Sequence, residues 1–375
     1  MRIGYDALAL HRPYSGVQVT VDQAGQALAE ALGSELVRFV PREYGERGLE
    51  SPRHAEDTLY RAPVSGAHRL ARVAWEQGCL PAVARRLGVE LLHCPAYVMP
   101  LRWRGPSVLT VHDLLTLVHP EWCKRANVWH FRLVLPPSLR RATRVVTPSP
   151  AVAEAVSAWP GVDRGKVRVV PWGIEARFRP ADDTTVARFR EQYGLTGPYL
   201  LTVGNLEPKK NLAGLLQIFA RIIGETPHQL VVAGSEGWGD ERPWRRALEE
   251  LPPARVKWLG YVPLEDLPAL YSGTDLYLQL SWYEGFGLPP LEAMACGAAT
   301  VVANRGARPE VSGPGAAVVD PADQTASARV IQALLEDPAA RRELAQRGQA
   351  HAARFTWARH VEGLLEVYRE VLGDR

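Results

Sequence analysis

Tyr283-Glu-Gly-Phe-Gly-Leu-Pro-Pro-Leu-Glu-Ala-Met-Ala-Cys-Gly297 is the stretch that decides the fold. It follows an apolar, strand-like run, Leu276-Tyr-Leu-Gln-Leu280, and opens with Glu284. A tight turn through Gly285 and Gly287 leads to a helix expected to begin at Pro290. Proline suits a first helical position, because its missing N–H would have no partner there. A strand, a glycine turn and a helix N-terminus in succession are the unit of a parallel α/β sheet. The free N–H groups and positive dipole end of such a helix suit a phosphate, and glycines let a ligand approach the backbone. Glu292 is expected in the first helical turn, so that two carboxylates flank one opening. Backbone donors for a diphosphate, with carboxylates beside them for sugar hydroxyls, point to a nucleotide-sugar site.

The pattern repeats along the chain. Short β-rich runs alternate with helical stretches, which predicts parallel sheets covered by helices. In the first half the expected strands are Arg2–Tyr5, Leu36–Val40, Leu91–Cys94, Ser107–Val111, Arg144–Thr147 and Val167–Val170. In the second they are Tyr199–Val203, Gln229–Ala233, Val256–Leu259, Leu276–Leu280, Thr300–Ala303 and Ala316–Val319. Expected helices include Val19–Leu32, Ala67–Gln77, Pro81–Leu87, Ala213–Ile223, Trp244–Glu250, Pro263–Tyr271 and Gln324–Glu336. Asp337–Leu372 reads as helical throughout. At 375 residues two domains are expected, with a boundary near Pro171–Pro198. Two open sheets of this kind bind ligands beyond the carboxyl ends of their strands.

Composition narrows the class. Hydrophobic residues make up 46% and charged residues 23%, the balance of a globular protein rather than a disordered one. No apolar run reaches the eighteen or so residues of a membrane span. Asp6 interrupts the region where a signal peptide needs its apolar core, so a cytoplasmic location is expected. Cys79, Cys94, Cys123 and Cys296 form no Cys-x-x-Cys pair and are read as reduced and structural. The net charge of +3 is uneven: residues 1–177 carry a balance of +7 and the remainder −4. The basic excess lies in Lys124, Arg125, Arg132, Arg140, Arg141 and Arg144, then Arg164, Lys166 and Arg168. A solvated helical face explains it most simply. An anionic acceptor, or peripheral contact at the inner membrane face, is the sharper alternative. No nucleic-acid partner is expected.

Three further segments sit where strands end. Tyr14-Ser-Gly-Val-Gln18 follows the first strand, and Gly16 could let the backbone meet a phosphate or a sugar. Thr110-Val-His-Asp113 ends another strand, placing His112 at its carboxyl end, where imidazole serves as donor, acceptor or cation. Asp113 is better read as a cap for the next helix. Gly204-Asn-Leu-Glu-Pro-Lys-Lys-Asn211 brings Lys209 and Lys210 to a strand-to-helix turn, where each is a point charge for a diphosphate. Asn211 is read as the N-cap. Asp-x-Asp, Gly-x-Gly-x-x-Gly and Gly-x-x-x-x-Gly-Lys-[Ser/Thr] do not occur. Lysines and helix N-termini, with no metal and no cofactor required, are therefore expected to meet the charge of a leaving diphosphate.

With these residues in hand, the chain resembles the retaining GT-B glycosyltransferases of family four, the group 1 glycosyltransferases, and within them the bacterial mannosyltransferases. The strongest element is Glu284-x7-Glu292. Val111-His-Asp113, Val170-Pro-x-Gly173, Gly204-x-Leu-Glu-Pro-x-Lys-Asn211, Gly260-Tyr-Val262 and Pro309-Glu-Val311 support it. The resemblance implies an α/β GT-B fold, two Rossmann-like domains with a central cleft. Residues 1–177 form the acceptor-side domain, joined by a C-terminal helix, 357–375, and residues 178–356 form the donor domain. It implies transfer of a hexose, with GDP-mannose the leading donor, to a hydroxyl of a saccharide, lipid-linked or small-molecule acceptor in polysaccharide or glycoconjugate synthesis. In this scheme Glu284 holds the donor sugar with the backbone of Gly285, Phe286, Gly287 and Leu288, and Glu292 binds the ribose. Lys210 neutralises the diphosphate, Tyr261 and Val262 meet the base, His112 touches the sugar near its reacting carbon, and Gly16 lies beside phosphate or acceptor. Where the family usually has Arg, this chain has Asn205, which leaves the phosphate clamp to Lys210 with Lys209. Where it usually has a second small residue, this chain has Gln18. The competing readings are a phosphorylase or epimerase on the same fold, and a non-catalytic sugar-nucleotide-binding partner.

Overall fold

The computed structural model describes residues 1–11, 16–45 and 58–373, so Tyr14 and Ser15 of the first glycine turn lie outside the described residues. The chain divides into two compact units: Met1–Gly173 with Thr356–Arg375, and Ile174–Phe355.

The first unit runs β1 (Ile3–Asp6), α1 (Gly16–Leu32), β2 (Leu36–Val40), β3 (Thr58–Arg61), α2 (Arg69–Gly78), α3 (Leu80–Arg86), β4 (Leu91–Cys94), β5 (Ser107–Thr110), α4 (Leu115–Val118), α5 (Arg125–Arg141), β6 (Arg144–Thr147), α6 (Pro150–Ser157) and β7 (Val167–Val169). Its seven strands are ordered β3-β2-β1-β4-β5-β6-β7, every neighbouring pair parallel. Strands buried on both faces read as near-continuous apolar runs, and the alternation sorts them. Val37, Phe39, Leu92, Leu109 and Val145 pack with Leu135 and Leu139 of α5. Leu36, Val40, Leu91, Val108 and Val146 pack on the other side with Leu28 of α1.

The second unit runs α7 (Asp183–Gln192), β8 (Tyr199–Val203), α8 (Leu212–Ile222), β9 (Gln229–Ala233), α9 (Arg242–Glu249), β10 (Val256–Gly260), α10 (Leu267–Ser272), β11 (Leu276–Gln279), α11 (Leu288–Ala295), β12 (Thr300–Ala303), α12 (Arg308–Ser312), β13 (Ala316–Val319), α13 (Gln324–Glu336) and α14 (Pro338–Ala352). Its six strands are ordered β10-β9-β8-β11-β12-β13, again all parallel. The order reverses between β1 and β4 in the first sheet and between β8 and β11 in the second. Those reversals are the crevices in which open α/β sheets hold ligands.

The last helix, α15 (Trp357–Leu372), belongs to the first unit. Val361, Leu364, Val367 and Tyr368 enter the core formed by β1, β2, β4 and α1. The Tyr368 hydroxyl lies 2.6 Å from His93 Nδ1, with both residues buried.

Three sequence expectations need correction. Asp337–Leu372 is two helices, because the chain breaks after Ala352 and Thr356 caps α15 by accepting from the Arg359 amide. A strand was not expected at Thr58–Arg61; β3 is a half-exposed edge strand without an apolar run to mark it. The helix expected at Pro290 starts at Leu288, because Gly287, at φ +100°, is its N-cap. Glu292 therefore lies beyond the first turn.

Candidate functional site

The reversal in the second sheet brings two loops together. The loop after β8 turns through Pro208–Lys210 and ends at Asn211, which takes the left-handed conformation, φ +56°. Its Oδ1 accepts from the Gly214 amide at 3.3 Å, capping α8, and its Nδ2 donates to Leu280 O at 3.0 Å. The Trp282 amide donates to Lys209 O at 2.7 Å. These bonds tie the lysine turn to the end of β11, where the glutamate turn begins.

Glu284 is the focus of the joined loops. Lys210 Nζ lies 2.7 Å from its Oε1 and Lys209 Nζ 3.4 Å from its Oε2; the three side chains are 19%, 13% and 12% exposed in the order Lys210, Lys209, Glu284. Burial alone would raise the Glu284 carboxyl, but Lys209, Lys210 and Arg308 outweigh it and hold the group well below the usual carboxylate range. A carboxylate that stays ionised while screened from water is a strong acceptor for hydroxyl donors.

The glycine turn and its supports are packed. Gly285 and Phe286 are buried, Leu288 is half-buried, and the Phe286 ring meets Phe355 edge-on with centroids 5.9 Å apart. Glu292 does not share the surroundings of Glu284. It accepts from the Tyr271 hydroxyl at 3.0 Å. Burial raises its carboxyl to about 7, aided by Glu175 and opposed by the Tyr271 bond. Asn205 lines a small pocket with Gly204, Lys210 and Gln279. At the end of β10 the Tyr261 side chain is 70% exposed, whereas Val262 is buried.

In the first unit, His112 follows β5 and is buried. Its Nε2 lies 2.6 Å from Pro95 O. A carbonyl only accepts, so the proton sits on Nε2, and Nδ1 is an acceptor with no partner among the described residues. Burial lowers the ring to about 4, against the Pro95 bond and with help from His360. Of the three roles expected for His112, burial thus favours the neutral donor or acceptor over the cation. Tyr97 and Trp172 flank the ring at centroid distances of 5.1 and 5.2 Å. Tyr97 itself is held at φ +69°, a conformation that bulky residues adopt only under external constraint. A small cavity opens among His112, His93, Thr20, Trp172 and His360.

Of the glycine segment Tyr14–Gln18 in the first unit, residues 16–18 are described. Gly16 begins α1, exposed, with nothing among the described residues near its missing side chain. Gln18 is buried and donates to Ala9 O at 2.8 Å, tying α1 to the segment after β1. Asp113 accepts from the Leu115 amide at 3.0 Å, but the N-cap position of α4 is Leu114, so Asp113 bonds the first helical amide from one residue before the cap.

Among the described residues, no group of three or more His, Cys, Asp or Glu side chains is placed to hold a metal ion. None of the described helices is long and apolar enough to cross a membrane. The four cysteines are free thiols; Cys94 and Cys296 are buried, whereas Cys79 is exposed and so is not a core residue. Arg308, fully buried and close enough to act on the charge of Glu284, is not legible in the sequence, because Arg305-Gly-Ala-Arg308 has the appearance of a solvated charged loop.

Comparison with known proteins bears on the family and the fold. Residues 183–351 match the family model for glycosyl transferases group 1, and residues 14–178 that for Glycosyltransferase Family 4. The O-antigen chain mannosyltransferase B of Escherichia coli is 32% identical over 284 residues, 74% of each chain. Among solved structures, the sucrose-phosphate synthase of Thermosynechococcus elongatus aligns with a TM-score of 0.80 at 23% identity over 100% of both chains. Anabaena Alr3699/HepE, solved with UDP and glucose, aligns with a TM-score of 0.76 at 19% identity, over 99% of this chain and 100% of that one. At these identities the two structures speak for the fold alone, two Rossmann-like α/β units.

Proposed function

The chain belongs to the group 1 glycosyltransferases, and on that footing we propose that it transfers mannose from GDP-mannose to an acceptor hydroxyl with retention of anomeric configuration. The observation that carries this reading is the Glu284–Lys209–Lys210 cluster at the reversal between β8 and β11. One carboxylate beside two ammonium groups and the N-terminus of α11 matches the needs of a sugar diphosphate. Hydroxyls require an acceptor, and phosphates require cations and N–H donors.

In this reading Glu284 and the backbone of Gly285 to Leu288 hold the hexose. Lys210, aided by Lys209, meets the diphosphate, and Asn205 contributes a neutral contact where other members carry a cation. Glu292 accepts from the ribose, and the backbone at Tyr261 and Val262 borders the base. His112, with its unfilled Nδ1, accepts from a sugar hydroxyl, and Gly16 leaves room for phosphate or acceptor. The acceptor hydroxyl attacks the face from which the diphosphate leaves, through an oxocarbenium-like state. Its proton passes to the departing diphosphate, whose charge Lys210 and α11 stabilise. No metal ion is required in this scheme.

The mannose preference draws on the name of the Escherichia coli relative; the nucleotide-sugar class draws on the Glu284–Lys209–Lys210 cluster. A peripheral membrane contact draws on α5. Trp129 and Leu133 are 67% and 71% exposed, and Arg125, Arg132 and Arg140 are exposed on the same helix, a composition suited to an anionic lipid surface. The test is a thermal-shift screen against GDP, UDP, dTDP and ADP sugars, since a ligand bound to the native state raises its apparent stability. GDP-mannose should give the largest rise. A larger rise with another base would replace the donor, and no rise with any would remove the donor-site assignment.

A further inference from the structure

Two lysines contact the Glu284 carboxylate, a third cation, Arg308, acts on it from beyond ion-pair distance, and the two lysines have a second task in the proposed reaction. Lys210 and Lys209, 2.7 and 3.4 Å from its two oxygens, are also the groups assigned to the diphosphate. A lysine drawn to phosphate leaves the carboxylate or divides its charge. A screened carboxylate without a counter-charge takes up a proton. Protonated, Glu284 would present a donor where the sugar needs an acceptor.

Arg308 is enclosed in a way the lysines are not. It opens α12 and is 0% exposed. Its Nη2 donates to Ser281 O, while Nε and Nη1 have no partner among the described residues. The residues just before it grip the glutamate turn. The Ala307 amide donates to Glu284 O at 3.0 Å. Gly306, at φ +58°, lies so near that a Cβ there would stand 2.6 Å from Glu284 O. On the far side of the turn, a Cβ on Gly287 would meet Arg308 Cγ at 3.8 Å. Bonded to Ser281 O and fully buried, this guanidinium has less freedom to follow a ligand than the partly exposed lysines. The other ionisable groups acting here are Tyr277 on β11, Arg305 beside Arg308, and Glu207, 3.9 Å from Lys209.

We propose that Arg308 is a positioning residue for the donor sugar: it is the cation that stays with Glu284, and keeps it an acceptor, when Lys209 and Lys210 turn to the diphosphate. The inference rests on the assignment of Glu284 to the donor sugar. The mutual field agrees with it. Burial lowers the Arg308 guanidinium to about 10 while Glu284 draws it back up, and Arg308 acts with the lysines in holding the glutamate ionised.

The experiment compares wild type with Arg308→Gln, Arg308→Lys and Glu284→Gln. Donor turnover is followed as released nucleoside diphosphate across pH, and binding of free GDP is followed by calorimetry. For Arg308→Gln, kcat/KM for the nucleotide sugar should fall about tenfold or more at neutral pH, and its acid limb should move up by about one pH unit or more. Free GDP should bind within about twofold of wild type, since no lysine is lost. Arg308→Lys, which keeps a charge, should hold the acid limb in place. An unmoved limb in Arg308→Gln, or equal losses in Gln and Lys variants, would overturn the inference while Glu284→Gln remains impaired. A Glu284→Gln enzyme that is not impaired would instead remove the donor-sugar reading, and this inference with it. If Arg308→Gln does not fold, the wild-type complex decides: in the GDP-bound protein a carbon-13 titration of Glu284, assigned with Glu284→Gln, should find it ionised at about pH 6. A protonated carboxyl there would overturn the proposal.

Discussion

Replacing Lys210 by alanine removes the shorter of the two lysine contacts to Glu284, and its effect can be worked from both sides of the binding equilibrium. In the bound state a charge-assisted contact to phosphate contributes about 1.5–3 kcal/mol. In the free protein Lys210 is already occupied, 2.7 Å from Glu284 Oε1 and only 19% exposed. Opening or sharing that ion pair on binding gives back about 1 kcal/mol. The net loss in Lys210→Ala is then about 0.5–2 kcal/mol, or roughly 2- to 30-fold in affinity. Lys209, 3.4 Å from the other oxygen, remains to hold Glu284, so the turn should keep its place. Calorimetry with GDP and with guanosine separates the terms. The variant should lose affinity for GDP and keep it for guanosine, and its GDP binding should depend less on salt. Equal losses for both ligands would place Lys210 away from the phosphates and refute the reasoning.

Three other outcomes follow from the same contacts. Burial raises Glu292 to about 7; the folded protein therefore holds a proton that the unfolded chain has lost between about pH 4.5 and 7, and that carboxyl's contribution to stability declines as pH rises through this window. Glu292→Gln should accordingly melt higher relative to wild type at pH 8 than at pH 5 while weakening nucleotide binding, and a pH-independent difference in melting would count against a buried, uncharged Glu292. Activity should survive EDTA; loss to the chelator with rescue by Mg²⁺ or Mn²⁺ would defeat a leaving group stabilised by lysines alone. Tyr368→Phe removes the hydroxyl 2.6 Å from buried His93 and should cost about 1–3 kcal/mol of stability, read as a lowered Tm; an unchanged Tm would mean that α15 is not held by that bond.

Much of the fold was legible because parallel strands buried on both faces leave near-continuous apolar runs, broken in places by a single polar residue such as Arg38 or His93. Leu36–Val40, Leu91–Cys94, Tyr199–Val203 and Thr300–Ala303 stand at the bounds the runs suggested. The half-exposed strand Thr58–Arg61 has no such run, and its place is set by pairing with β2. Helix starts were harder where a conformation rather than a residue type decides. Gly287 in its left-handed state outweighs the prolines as the start of α11, and the break before Thr356 carries neither glycine nor proline. In the candidate site, Glu284, Lys209 and Lys210 were legible because each follows a strand and sheet order brings the two loops together. The separate surroundings of Glu292 depend on Tyr271, more than a helical turn away in sequence and brought close only by packing. Arg308 was hidden for the same reason: burial is a property of the packed chain, and beside Arg305 it reads as surface charge.

The most direct test of the central claim is release of nucleoside diphosphate from GDP-mannose by the wild-type protein and by Glu284→Ala, each first shown to melt cooperatively. The account predicts turnover by wild type, with product of unchanged anomeric configuration once an acceptor is found, and a loss of about 100-fold or more in the variant. A folded Glu284→Ala protein that releases GDP at nearly the wild-type rate would contradict it.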